Sequence, residues 1–115
     1  MLPQKNRLLS RRDFETVKGK GVKFQTNLFG LIVCPTEKDN SRFGFIISTK
    51  ISKKATERNL IKRRLREVFR EFLTKIQPGY DIVVLGKKDL LTQSFDQIKK
   101  TTEEVLVKAK IVEDK

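Results

Sequence analysis

The sequence predicts an α/β (α+β) two-layer sandwich, a small mixed sheet packed with helices in the order α-β-β-(β)-α-β-α. Three observations carry this reading. Residues 61–76 repeat apolar side chains at helical spacing. Residues 28–34 and 81–86 are short runs of β-forming residues bounded by turn signals. Serines stand at capping positions ahead of the helical patterns. A chain of 115 residues suits one domain, 1–115, with 1–9 and 111–115 as flexible ends.

Taken in order, Ser10-Arg11-Arg12-Asp13 resembles a capping box, with Leu9 placed to staple against Phe14. A short helix is therefore expected over 11–18, closed by Gly19 and Gly21. In the strand at 28–34, Phe29, Leu31 and Val33 share one face, and Leu28, Gly30 and Ile32 the other. Cys34 ends that run as a small buried hydrophobe. The polar residues 36–41 signal a turn, which makes 42–50 the return strand of an antiparallel hairpin. Ser52 or a near neighbour caps a helix reaching about Ile76, stopped by Pro78-Gly79. Its apolar stripe is Ile61, Leu65, Val68, Phe69, Phe72 and Ile76. The strand at 81–86 has a continuous apolar centre and belongs in the middle of the sheet. Ser94 caps a last helix, with Phe95, Ile98, Val105, Leu106 and Ala109 facing inward.

The net charge is +12, and its distribution is uneven. Residues 1–27 hold seven cations and two anions, and residues 50–70 hold nine and two. The other segments balance, so the excess lies in two places and points to a polyanionic partner. At about 100° per residue, Asn59, Lys62, Arg63, Arg66 and Arg70 fall in one arc off the apolar stripe. Glu57, Glu67 and Glu71 lie mostly elsewhere, so the arc is expected to carry little internal pairing. Leu60 falls away from the stripe and is expected outside the core. A membrane-surface helix would need the stripe for lipid, whereas the core needs it here. No apolar run is long enough to span a bilayer, no secretory signal is visible, and the sequence reads as cytoplasmic.

The missing residue types narrow the chemistry. Without histidine the usual imidazole base is absent, and one cysteine without histidine excludes a Cys/His zinc site. No phosphate-cradling glycine-lysine motif occurs, and the carboxylates are scattered rather than gathered as metal ligands. No metal site is expected in the protein, and no catalytic side chain is identified. By itself the chain reads as a binder.

The run from Ala55 to Glu67, containing Arg58-Asn59, Lys62-Arg63 and Arg66, resembles the signature of the bacterial ribonuclease P protein subunit. Asn6-Arg7-Leu8, Arg12-Asp13-Phe14, Arg42-Phe43-Gly44 with Ser48 to Lys50, and Tyr80 to Val84 agree with that family in order and spacing. The resemblance implies a left-handed βαβ crossover around the signature helix. It implies a subunit that joins a catalytic RNA, which removes the 5′ leader of precursor tRNA using magnesium ions held mainly by the RNA. No obligate protein partner and no membrane enter that picture. Carried over, Arg58, Asn59, Lys62, Arg63, Arg66 and Arg70 face the catalytic RNA, while Phe14, Lys18, Ile32, Ser48 and Lys50 line a cleft for the leader. Lys18 stands where a second phenylalanine is common, Ile32 where some members have tyrosine, and Leu60 where a third basic residue is usual. Ser52-Lys53-Lys54 suggests a one-residue insertion. Two other classes compete: a structural ribosomal or ribosome-associated protein, which explains size and charge, and a DNA-binding module, which lacks an evident helix–turn–helix.

Overall fold

The computed structural model describes residues 4–8 and 10–112. Helix α1 spans Arg11–Lys20, slightly longer than expected, and starts where its cap is. The Ser10 hydroxyl accepts from the Asp13 N–H at 3.5 Å, and the Gly21 N–H donates to the Val17 carbonyl at the other end. Leu9, the expected staple, lies outside the described residues.

Four strands follow the chain as β1 (Val22–Gln25), β2 (Phe29–Pro35), β3 (Arg42–Ile46) and β4 (Tyr80–Gly86). Their order in the sheet is β1-β2-β4-β3. The four-residue β1, the optional extra strand of the expected order whose position the sequence did not mark, forms the hairpin with β2. Thr26 closes its turn, accepting from the Leu28 and Phe29 N–H groups at 3.1 and 2.9 Å. Strand β3 is not the hairpin partner of β2; it pairs in parallel with β4 and stops at Ile46. The segment at 36–41 is still a turn, but Thr36 donates to the Gly79 carbonyl at 2.7 Å, so it braces the start of β4. Gly79 itself has φ +96°, a conformation that favours glycine. Strand β4 lies between β2 and β3, as its apolar run requires.

Helix α2 runs Ala55–Phe72, shorter at both ends than expected. Ser52 does not cap it: its hydroxyl accepts from the Lys54 N–H at 3.2 Å, and Lys54 is the N-cap without a side-chain bond. The Leu73 N–H turns back to the Arg70 carbonyl, and Ile76 leaves the helix to bridge Val112 in antiparallel fashion. Helix α3 spans Phe95–Lys108, with the Ser94 hydroxyl accepting from Gln97 at 3.2 Å. Phe95, expected inward, is 40% exposed because it opens the first turn of α3, before the buried Ile98, Val105 and Leu106.

The sheet's two faces differ. Phe29, Leu31, Val33, Phe43, Phe45, Ile82 and Val84 join the stripes of α2 and α3 in the main core. Four aromatic rings meet at its centre: Phe69 lies 6.4 Å from Phe29, 5.4 Å from Phe43 and 5.4 Å from Phe45. The opposite face carries a smaller cluster of Leu8, Val17, Ile32 and Val83, covered by α1. The expected split of β2 holds for Phe29, Leu31 and Val33 against Ile32, but Leu28, expected beside Ile32, precedes the strand and is buried in the main core.

The described residues of both ends pack on the body of the fold. Arg7 bridges Phe43 in parallel, and the Leu8 N–H donates to the Phe43 carbonyl at 2.8 Å, which shields the β3 edge. Ile111 and Val112 are buried beside Ile76. Within the ends expected to be flexible, 1–9 and 111–115, these positions border a sheet edge or the main core.

Candidate nucleic-acid interface

Two surfaces carry the residues singled out from sequence, on opposite faces of the sheet. The first is the outward side of α2. Burying Ile61, Leu65, Val68, Phe69 and Phe72 turns Asn59, Lys62, Arg63, Arg66 and Arg70 away from the core. Asn59, Arg63 and Arg70 are exposed, while Lys62 and Arg66 are half-buried along their stems. Burial, then the nearby charge of Arg7, lowers the proton affinity of the Arg66 guanidinium, which still stays charged at working pH. The arc is not wholly without pairing, as expected from sequence: Arg70 meets Glu67 at 3.5 Å, one turn apart. That pair is exposed and screened, so it contributes little. Glu71 turns to Lys99 of α3 at 3.1 Å.

Arg58 does a different job. Its Nη1 donates to the Ser52 carbonyl at 2.9 Å, so it ties down the loop that leads into α2. Leu60 is 40% exposed and Arg64 is exposed, both outside the core.

The second surface lies between α1 and the sheet. Across the strands, Gln25, Gly30, Leu85 and Ile46 stand in one register row on the α1 side. Leu85 and Ile46 are half-buried, and the Gln25 amide lies over Gly30, its Oε1 3.3 Å from where a β-carbon would be. One wall is α1. Phe14 projects from it onto Gly44, where a β-carbon would collide with Cε1 and Cζ of the ring. Glycine at this position is what lets the ring seat against the strand. Phe14 remains half-buried and packs against the same small cluster as Leu85 and Ile46. Lys18, on α1, and Ser48 and Lys50, in the turn after β3, are exposed. These residues outline a candidate cleft with an apolar row as its floor, the Gln25 amide at one end of that row and Phe14 on its α1 wall. Ile32 does not belong to its open part. At 2% exposure it lies beneath α1, against Gly21, because it stands one register row further along.

A network missed in the sequence holds α1 in place. Arg42 donates from Nε to Asp81 Oδ1 at 2.9 Å and from Nη2 to Oδ2 at 2.7 Å, while Nη1 reaches Asp13 of α1 at 3.2 Å. The hydrogen bond to Asp81 is the main reason the Arg42 guanidinium holds its proton more tightly than usual. The side chains of Arg42 and Asp81 are 15% and 8% exposed. Asp81→Ala would leave Arg42 without its main partner in a partly buried site. That substitution is expected to cost about 3 kcal/mol in urea unfolding, with a smaller cost for Asp81→Asn. A loss below about 1 kcal/mol would count against the network's role in holding the helix. Its sequence traces were the motifs Arg12-Asp13-Phe14, Arg42-Phe43-Gly44 and Tyr80-Asp81, which no spacing rule connects.

Among the described residues no group of three or more His, Cys, Asp or Glu side chains could hold a metal ion, and no helix is long and apolar enough to cross a membrane.

Comparison with known proteins points one way. A family model described as Ribonuclease P matches residues 2–110. The ribonuclease P protein component of Microcystis aeruginosa is 36% identical over 115 residues, covering 96% of each chain. That of Thermotoga petrophila is 38% identical over 95 residues, covering 83% of this chain and 80% of its own. The solved ribonuclease P protein of Staphylococcus aureus superposes with a TM-score of 0.85 at 30% identity, covering 94% of this chain and 98% of that one. The one from Thermotoga maritima gives 0.81 at 33% identity, covering 89% and 96%. Matched by the family model over residues 2–110 and by relatives over nearly their full length, the chain belongs to the bacterial ribonuclease P protein family.

Proposed function

We propose that this chain is the RNA-binding subunit of ribonuclease P, assisting a catalytic RNA in removing the 5′ leader of precursor tRNA, and that α2 and the α1 cleft divide the work. Membership of the family gives the role in tRNA 5′ maturation. The observation that carries the division of labour is the placement of basic α2 and the Phe14 cleft on opposite faces of one sheet. The α2 arc of Asn59, Lys62, Arg63 and Arg66, with Arg70, engages phosphates of the catalytic RNA, and Arg58 sets the angle at which the helix is presented. The cleft receives the leader as a single strand. Phe14, Ile46 and Leu85 offer stacking and apolar contact, while Lys18, Ser48 and Lys50 face the backbone.

Phosphodiester hydrolysis needs an activated water and stabilisation of charge on the phosphate. The chain has no histidine, and Asp13 and Asp81 are occupied by Arg42. Among the described residues no group of acidic side chains is gathered as a magnesium site, and we assign the metal and the chemistry to the RNA. The protein raises the affinity of substrate and neutralises repulsion between RNA strands.

The test is reconstitution with a bacterial ribonuclease P RNA and precursor tRNA at low magnesium. Cleavage and substrate affinity are expected to exceed those of RNA alone, and the protein alone is expected to cleave nothing. No improvement would defeat the reading. Within that assay, Phe14→Ala is expected to weaken precursor binding about tenfold while leaving mature tRNA binding unchanged, the magnitude of one lost stacking contact. Equal loss for both substrates would remove Phe14 from the cleft.

A further inference from the structure

The N-terminal segment brings to α2 a cation that the helix itself does not carry. Residues 5–8 are fastened to the β3 edge. Besides the Arg7 bridge and the Leu8 bond to Phe43, the buried Asn6 donates from Nδ2 to the Ser41 carbonyl at 2.7 Å, and the Asn40 amide bonds to the Lys5 carbonyl. Strand alternation then decides where each side chain goes. Leu8 enters the small cluster under α1. Arg7, in register with Phe43, takes the opposite face, the one covered by α2. Phe43 packs on Phe69 at 5.4 Å between centroids, and Arg66 stands one helical turn before Phe69. Arg7 therefore meets α2 at the turn that bears Arg66, and the two charges are close enough to perturb each other. Both are half-buried.

We propose that Arg7 and Arg66 form a two-guanidinium clamp for a single phosphate of the catalytic RNA, which makes the N-terminal segment part of the RNA-binding surface. The inference rests on the reading of α2 as the RNA-facing helix. A phosphate seated between the two guanidinium groups meets both charges at once, a stronger attraction than either gives alone. Planar guanidinium forks suit the task because each can meet two phosphate oxygens. Neither residue needs to move far, since Arg7 is fixed through its backbone and Arg66 through its helix.

The experiment is a double-mutant cycle on the full chain, Arg7→Gln, Arg66→Gln and both together, measuring binding to a bacterial ribonuclease P RNA by filter retention at fixed salt. Each single change is expected to weaken binding about tenfold, from charged hydrogen bonds lost. The double change should weaken it little further, well short of the roughly hundredfold product expected of independent sites. An Arg7→Gln protein that binds like wild type overturns the clamp, and so does a double variant that reaches the full product. If Arg66→Gln alone, or the wild type, shows no dependence on this surface, the reading of α2 falls as well. Arg7→Lys covers the case of a poorly folded glutamine variant, because it keeps charge and stem without the fork. It should lose binding severalfold with Arg66 present and none with Arg66→Gln, and equal losses in both backgrounds overturn the proposal.

Discussion

Phe69→Ala is expected to destabilise the protein by about 4 kcal/mol, read as a lower urea midpoint with an unchanged slope. Phe69 is fully buried and is the one ring in contact with three others, from β2 and β3. Its removal deletes the transfer energy of a large side chain and leaves a cavity bounded by strands, which cannot collapse onto the gap as a loop could. The edge and tilted ring contacts add about 0.5–1.5 kcal/mol for each well-placed pair. A loss under about 2 kcal/mol would mean that α2 shifts to refill the space. In that case the outward arc would rotate with it, and RNA binding would fall even where folding survives.

Simultaneous Lys62→Ala, Arg63→Ala and Arg66→Ala substitutions are expected to have the largest effect on binding. Affinity for a bacterial ribonuclease P RNA should fall by about three orders of magnitude, and the salt slope should flatten by about two to three. The three side chains lie off the apolar stripe, so the melting temperature should change little. Lys100→Ala with Lys108→Ala on α3 removes two exposed charges elsewhere and is the control for net charge alone. If this control flattened the slope as much per charge, binding would be a property of overall charge and α2 would hold no special place.

The helices and the basic arc were legible because both obey a local period. Six apolar residues from Ile61 to Ile76 at helical spacing required one buried side, and the cations took what remained. Strand pairing was not legible. Residues 36–41 look like a hairpin turn, and nothing local says that residue 43 will pair with residue 82 rather than with its neighbour in sequence. What decides it is the double burial of Ile82, Val83 and Val84, which requires strands on both sides of β4. Strand β1 could not be placed because four residues, mostly exposed, give no apolar run. In the cleft, Phe14 and the polar positions Ser48 and Lys50 could be named from a motif. Its floor could not, since Gly30, Leu85 and Ile46 come from three strands and meet only through the register. Ile32 was misplaced for the same reason: a face can be read from alternation, but the part of that face left uncovered by α1 cannot.

The central position of β4 has a consequence for how the protein is made. Strands β2 and β3 do not touch each other, and both wait for residues 80–86. A chain growing from its N-terminus can form α1, the β1–β2 hairpin and α2, but it cannot close the sheet until its last third has been synthesised. Until then the stripe of α2 has no closed sheet to cover it, and the basic arc has no fixed orientation. Truncation before Tyr80 should therefore yield a sticky, basic polypeptide rather than a smaller folded domain, and competence to join the RNA should arrive in one step with the insertion of the middle strand.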